Sequence, residues 1–246
     1  MGITIILTRS ILSIKIFNKD YQLKTRVISM NTMDILKEKL TNAYEYGKEE
    51  LLIQTINENF DLDIKNYATV NFKSFIDIVD IIGGVDININ EREIRHLNEV
   101  IKSCYNVNHT DSNDIEYISS SGNNNLNGYQ ALAYARIRKI DTIYKRDERQ
   151  RIILTNIAHK LSNVSITKYP HIAKSILRHV RVNMSFNKII KLAFTSHELA
   201  SYDIKQLEFP VSEYREDGVK DKNGKYIVKW DKDKNINLLH KFISGN

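Results

Sequence analysis

The chain has 246 residues, 42% hydrophobic and 27% charged, enough to bury a sizeable core; with 9 Gly and 2 Pro it is not loop-dominated or of low complexity. Its single cysteine, Cys104, excludes an internal disulfide framework and, with no paired Cys or ligand cluster, reads as structural. The net charge of +6 suits an anionic partner, whether nucleic acid, a phosphate-rich polymer or an anionic membrane, and no run approaches the roughly 18–20 consecutive apolar residues of a membrane span.

In chain order, residues 3–7 are mostly apolar and are soon followed by Arg9, which predicts a buried strand. Residues 11–17 and 21–30 are likewise apolar and β-branched, and the turn-favouring Asn18-Lys19-Asp20 between them predicts a hairpin. Residues 49–60 place Leu51, Leu52, Thr55, Ile56 and Phe60 near one helical face. Residues 67–72 alternate as a short strand and run into a helix bearing Phe75, Ile76, Val79 and Ile82, which Gly83-Gly84 ends in a left-handed C-cap. With a further strand at 85–89, this strand–helix–strand unit predicts an α/β protein. A polar helix follows at 91–103. The stretch 107–127, rich in Asn, Ser and Asp, reads as a loop with room for a short strand at 115–118. Helices are predicted at 130–134, at about 145–163 with Ile153, Leu154, Ile157, Ala158 and Leu161 in its core positions, and at 186–194 with Ser185 as N-cap. Residues 206–211 and 225–230 read as strands, the second preceded by the hairpin-turn signal Asn223-Gly224, and 235–243 as a closing helix. No internal repeat is visible, and one compact domain is expected.

Chemistry concentrates between residues 136 and 151, which hold Arg136, Arg138, Lys139, Lys145, Arg146, Arg149 and Arg151, with Gln150 among them. On a helix, Arg146, Arg149 and Gln150 fall at i, i+3 and i+4 and share a face; in an extended segment, Arg136 and Arg138 share a side. Two converging arginine pairs suit a pyrophosphate, because guanidinium forks grip phosphate oxygens bidentately and keep their charge at any working pH. The first turn of the helix would add backbone N–H groups and the positive end of its dipole. The competing reading is a solvated basic helix end partly neutralised by Asp147 and Glu148. The seven histidines show no metal-ligand spacing, and Asp77 and Asp80 read as surface acids of their helix.

The same residues carry a family resemblance. Residues 126–138, LNGYQALAYARIR, resemble the LNGxQALAYxRxR segment of the LytR–CpsA–Psr family, and RDERQR at 146–151 resembles its RxERQR helix start. Residues 70–85 resemble its VNFxxFxxxVDxLGGV block, and KLTNAYEYG at 39–47 its KLNxAYxYG. The similarity runs through nearly the whole chain. It implies an α/β/α sandwich around a central mixed sheet, with a hydrophobic tunnel for a polyprenyl chain. It implies transfer of a glycopolymer, such as wall teichoic acid or capsule, from a polyprenyl pyrophosphate carrier to peptidoglycan with Mg²⁺, at the outer face of the bacterial cytoplasmic membrane. By position, Arg136, Arg138, Arg146, Arg149 and Gln150 would hold the pyrophosphate, and Asp80 would support the Gly-Gly turn. The family's older association with transcriptional attenuation finds no helix-turn-helix signature or paired zinc ligands here, so no nucleic-acid partner is expected.

Two family acids have no counterpart. Where the family has an early acid, Ser10 stands, or Arg9 with a one-residue slip; where it has an Arg-Asp pair, Thr32 and Met33 stand. A hard divalent ion prefers carboxylate oxygens, so the metal ligands are unassigned. Asp34, one residue late, is the candidate catalytic acid if a bulge or loop brings it into place. An impaired homologue that binds the lipid pyrophosphate without transferring it is the alternative. The family's membrane helix and first core strand also have no counterpart ahead of the predicted hairpin, as in a natural truncation, a decayed copy or a trimmed chain.

Overall fold

A computed structural model describes residues 3–7, 13–15, 22–28, 33–107, 115–138, 140, 143–198, 207, 209–220, 224 and 226–244, and up to residue 42 its backbone alone. The chain packs as two compact units, Val70–Ile204 and the combination of Ile3–Thr69 with Lys205–Asn246.

The second of these contains β1 (Ile3–Leu7), β2 (Ser13–Lys15), β3 (Gln22–Ile28), β4 (Met33–Lys39), α1 (Leu40–Phe60) and β5 (Asn66–Val70), which ends at its boundary. The predicted hairpin is replaced by two pairings: β2 runs antiparallel to β1, while β3 runs antiparallel to β4 through seven consecutive pairs from Gln22↔Lys39 to Ile28↔Met33. The physical reason is partner choice. Residues 3–7 offer the short β2 an apolar partner, and the longer β3 gains a full-length one in β4. Asn18-Lys19-Asp20 lies outside the described residues. α1 starts earlier than periodicity suggested and is broken at Gly47-Lys48, where Lys48 has φ 53°. A Cβ on Gly47 would stand 2.4 Å from Leu51 Cβ, so only glycine makes this close approach. Beyond the break, Leu52, Ile56 and Phe60 are buried with Ala43, Ile64 and Leu239, as the helical spacing predicted.

The C-terminal part supplies β9 (Arg215–Lys220), β10 (Tyr226–Trp230) and α8 (Lys232–Ser244). Gly224, at φ +76°, lies in the β9–β10 connection, where a hairpin turn was expected. The first strand of that hairpin is β9, not 206–211, because residues 209–211 are held by other groups: Asn235 Oδ1 accepts from the Val211 N–H and Arg215 Nη1 donates to the Pro210 carbonyl. Phe60 meets Phe209 and Trp230 edge-on, with ring centroids 5.3 and 5.9 Å away.

The other unit holds α2 (Phe72–Ile81), β6 (Val85–Ile89), α3 (Glu91–Val107), β7 (Gly122–Leu126), α4 (Gly128–Arg136), α5 (Ile143–Ser162), α6 (Tyr169–Leu177), the two-residue β8 (Arg181–Val182) and α7 (Phe186–Glu198). α2 stops where expected: Gly83 and Gly84 take φ +81° and +80°, and their N–H groups close onto Asp80 and Val79. β6 alternates buried Val85, Ile87 and Ile89 with exposed Asp86 and Asn88. Its antiparallel partner is β7, Val85↔Leu126 to Ile89↔Gly122. The strand in this region is therefore not 115–118, which belongs to no regular element; Ile118 instead exchanges backbone hydrogen bonds with the side chain of Asn98. Leu97, Ile101 and Cys104 bury one face of α3, each of the aliphatic pair contributing about 2 kcal/mol. Ser185 Oγ accepts from the Lys188 N–H at 3.4 Å at the start of α7, and α6 is an element that periodicity had not suggested.

Candidate functional site

The predicted arginine constellation falls at the packing of α3, α4 and α5. α4 is pinned at its N-terminus by a capping box, in which Asn127 Oδ1 accepts from the Gln130 N–H and Gln130 Oε1 accepts from the Asn127 N–H. Asp80 adds a third tie, accepting from the Gly128 N–H at 2.7 Å; burial pushes its carboxyl above the usual range, partly offset by that bond. So Asp80 braces α4 as well as the Gly-Gly turn, where its carbonyl accepts from Gly83. From Gln130 α4 is buried through Ala135, and Arg136 is its last residue.

Arg136 is half-buried. Its guanidinium lies over the Phe72 ring, 5.0 Å from the centroid, and Nη1 donates to Cys104 Sγ at 3.4 Å. Burial pushes the Cys104 thiol up, against the pull of Arg136; the cysteine is a packed neighbour of the site, in keeping with its structural reading. Arg136 and Arg138 do not share one side of an extended segment. The helix runs through Arg136 and the chain extends only at Ile137, ψ 128°, because Ile137 is itself fully buried; Arg138 beyond it is exposed.

On α5 the i, i+3, i+4 spacing works as expected. Arg149 and Gln150 are buried and Arg146 half-buried, while Gln150 Nε2 donates to the Ala135 carbonyl at 3.2 Å. That bond ties α5 to the last turn of α4 and so brings Gln150 and Arg149 beside the end that carries Arg136. Gln150 Oε1 is buried without a hydrogen-bond partner among the described residues.

The anion that Arg149 meets was not foreseen. Its Nε donates to Glu93 Oε1 at 2.9 Å, both side chains being largely buried, and its guanidinium stands 5.7 Å from the Tyr134 ring centroid. Glu148, a neutraliser in the competing reading, pairs with Lys145 of the same cluster, at 2.7 Å on the surface. Glu93 Oε2 also accepts from the Asn90 N–H, so one carboxylate caps α3 and fixes Arg149. The N-x-x-E pattern at 90–93 signals the cap; the pairing with a residue 56 positions later has no local signal. Tyr134 beneath has its phenol pushed up to about 12, chiefly by burial and then by the Glu93 charge.

Asp34 and Met33 lie on β4. The β3–β4 ladder is regular there, Val27↔Asp34 next to Ile28↔Met33, with no bulge, so residue 34 does not slip into the register of residue 33. Arg9, Ser10 and Thr32 lie outside the described residues. No group of three or more His, Cys, Asp or Glu that could hold a metal ion occurs among the described residues. None of the described helices is long and apolar enough to cross a membrane.

The fold is similar to that of TagV from Bacillus subtilis, with TM-score 0.68 at 24% identity over 95% of this chain and 81% of that one, a mixed α/β architecture with small sheets. In sequence, the chain is similar to TagU, a polyisoprenyl-teichoic acid–peptidoglycan teichoic acid transferase. It is 29% identical to that of Bacillus subtilis (strain 168) over 168 residues, 67% of this chain and 47% of the relative. It is 30% identical to that of Bacillus licheniformis over 210 residues, 84% of this chain and 59% of the relative. The chain thus spans about half the length of these relatives. The sequence model of the LytR_cpsA_psr family matches residues 21–241, and the chain belongs to that family.

Proposed function

We propose that the protein binds a polyprenyl pyrophosphate-linked glycopolymer and transfers the glycopolymer to peptidoglycan, as the teichoic acid transferases it resembles are named for doing. The observation that carries this reading is the junction of α4 and α5, where Gln150 donates to the Ala135 carbonyl, one residue before Arg136, and Arg149 lies over the Tyr134 ring of the same helix. In this reading Arg136, Arg138, Arg146 and Arg149 neutralise charge that grows on the leaving lipid pyrophosphate, and Gln150 offers a neutral hydrogen bond. Glu93 holds the Nε edge of Arg149, which orients the rest of the fork. The polyprenyl chain would lie in a tunnel within an α/β/α sandwich, residues 1–246 forming one family domain at the outer face of the cytoplasmic membrane.

Mg²⁺ is the cation the family implies, and the described donors do not fit it. Met33 offers a thioether where an acid is expected, Asp34 keeps its own register on β4, and Glu93 and Asp80 are engaged by Arg149 and the Gly128 N–H. This favours a second reading, in which the chain holds the lipid pyrophosphate without transferring its glycan.

The test is a thermal-midpoint titration with farnesyl pyrophosphate, with and without Mg²⁺, beside an assay of polymer transfer to peptidoglycan. Ligand that binds only the folded state raises the midpoint by mass action. A rise that Mg²⁺ strengthens, together with transfer, supports the transferase. A rise indifferent to Mg²⁺ and without transfer supports the binder, and no rise contradicts both.

A further inference from the structure

Between Glu148 and Glu198 the chain has no acidic residue. With 30 acids in 246 residues, these 49 positions would hold about six; they carry instead nine Arg or Lys and four His. Acids of other elements meet some of these groups, among them Glu93 at Arg149, Asp86 at Lys160, 3.7 Å away, and Asp77 of α2 at His179, 2.9 Å away.

Past α5 the run builds a 3-10 turn at Ile166–Lys168, then α6, β8 and α7. Here Lys168, Lys174, Arg178, Arg181, Lys188 and Lys191 are all exposed. The apolar cover is incomplete as well. Tyr169 is the one buried residue of α6, Ile172, Ile176, Ile189 and Ile190 are only half-buried, and Phe186, which opens α7, is 47% exposed. α6 and α7 pack together, Tyr169 against Phe194 with ring centroids 6.0 Å apart. The result is a segment whose own charged residues are all basic, met by Asp77 at His179, with partly uncovered apolar atoms and an exposed aromatic ring.

We infer that residues 166–191 dock on the surface of an anionic phospholipid bilayer, the six cations meeting headgroup phosphates and Phe186 entering the headgroup boundary. Charge alone would serve a soluble polyanion equally well. The uncovered isoleucines and Phe186 favour a bilayer, because basic segments with Phe or Leu on a neighbouring face lie in that interface. Each cation near an anionic surface strengthens partition roughly fivefold. The inference extends the reading above, since a polyprenyl carrier resides in a bilayer, yet it stands on the charge distribution and is tested without pyrophosphate.

The experiment is flotation of the full chain with vesicles of phosphatidylcholine, alone or with a quarter phosphatidylglycerol. A triple variant, Lys168→Glu, Lys174→Glu and Arg178→Glu, is compared with a control of equal net charge, Lys229→Glu, Lys232→Glu and Lys241→Glu, after thermal midpoints establish that both fold. Should the triple not fold, Lys174→Glu and Arg178→Glu are tested singly. The expected result is that wild type and control float with anionic vesicles only, that the triple loses at least tenfold in partition, and that Phe186→Ser loses a part which added salt does not remove. Equal binding by triple and control, absence of binding to anionic vesicles, or a preference for soluble poly(glycerol phosphate) over vesicles would overturn it. The farnesyl pyrophosphate titration contains no vesicles, so the two readings fail separately.

Discussion

Gly128 sits so close to α2 that a Cβ would stand 2.4 Å from the Ile76 carbonyl oxygen and 2.6 Å from its Cα. Backbone cannot give way as a side chain can, so Gly128→Ala is expected to lose about 2 kcal/mol by urea unfolding, the range of an overpacked core. Arg149→Ala should be worse, about 3 kcal/mol, because it leaves the largely buried carboxylate of Glu93 uncompensated. Glu93→Gln keeps a single acceptor oxygen, which can serve the Asn90 N–H or Arg149 Nε but not both. Tyr134 gives a pH signature. Its phenol is neutral when protonated, and its folded value of about 12 lies above the ordinary 10. Between those values the unfolded chain loses the proton while the folded one keeps it, so stability falls as pH rises from about 10 to 12. Urea unfolding across that window should show the fall in wild type and a smaller one in Tyr134→Phe; equal slopes would contradict the assignment.

At the scale of elements, Asn127 is the most exposed point of failure for α4, since its side chain closes one half of the capping box and its backbone the other. Asn127→Ala should cost about 1 kcal/mol in denaturant unfolding. That helix was legible in sequence, as were α2 with its glycine stop, β6 and the end of the terminal hairpin. In each, local pattern and tertiary contact point the same way. The failures have one physical source, partners distant in sequence. β7 is a run of Asn residues with little strand preference of its own, made a strand by pairing with β6. β2 and β3 took β1 and β4 in place of each other. Of the candidate site, the helical face of Arg146, Arg149 and Gln150 was readable from spacing. The Glu93 pair, the contact of Arg136 with Cys104 and the burial of Ile137, which parts Arg136 from Arg138, were not, because they depend on how α3, α4 and α5 pack.

For the whole molecule, a net charge of +6 leaves open where the positive charge is spent. Within the unit Val70–Ile204, the α4–α5 junction concentrates arginines that are partly buried and held by rings and a carboxylate, as a site for one compact anion requires. The 166–191 segment spreads exposed cations, as a broad anionic surface requires. The two should differ in salt response, the exposed surface weakening more steeply. The central claim is that the α4–α5 junction binds pyrophosphate. Calorimetric titration with farnesyl pyrophosphate tests it most directly, comparing wild type, Arg136→Ala, Arg146→Ala and, as a control on the same helix, Lys145→Ala, whose ammonium pairs with Glu148 on the surface. The account predicts that Arg136→Ala and Arg146→Ala each weaken binding by roughly tenfold or more, the worth of a charge-assisted hydrogen bond, with Lys145→Ala close to wild type. Equal affinity across all four proteins would contradict it.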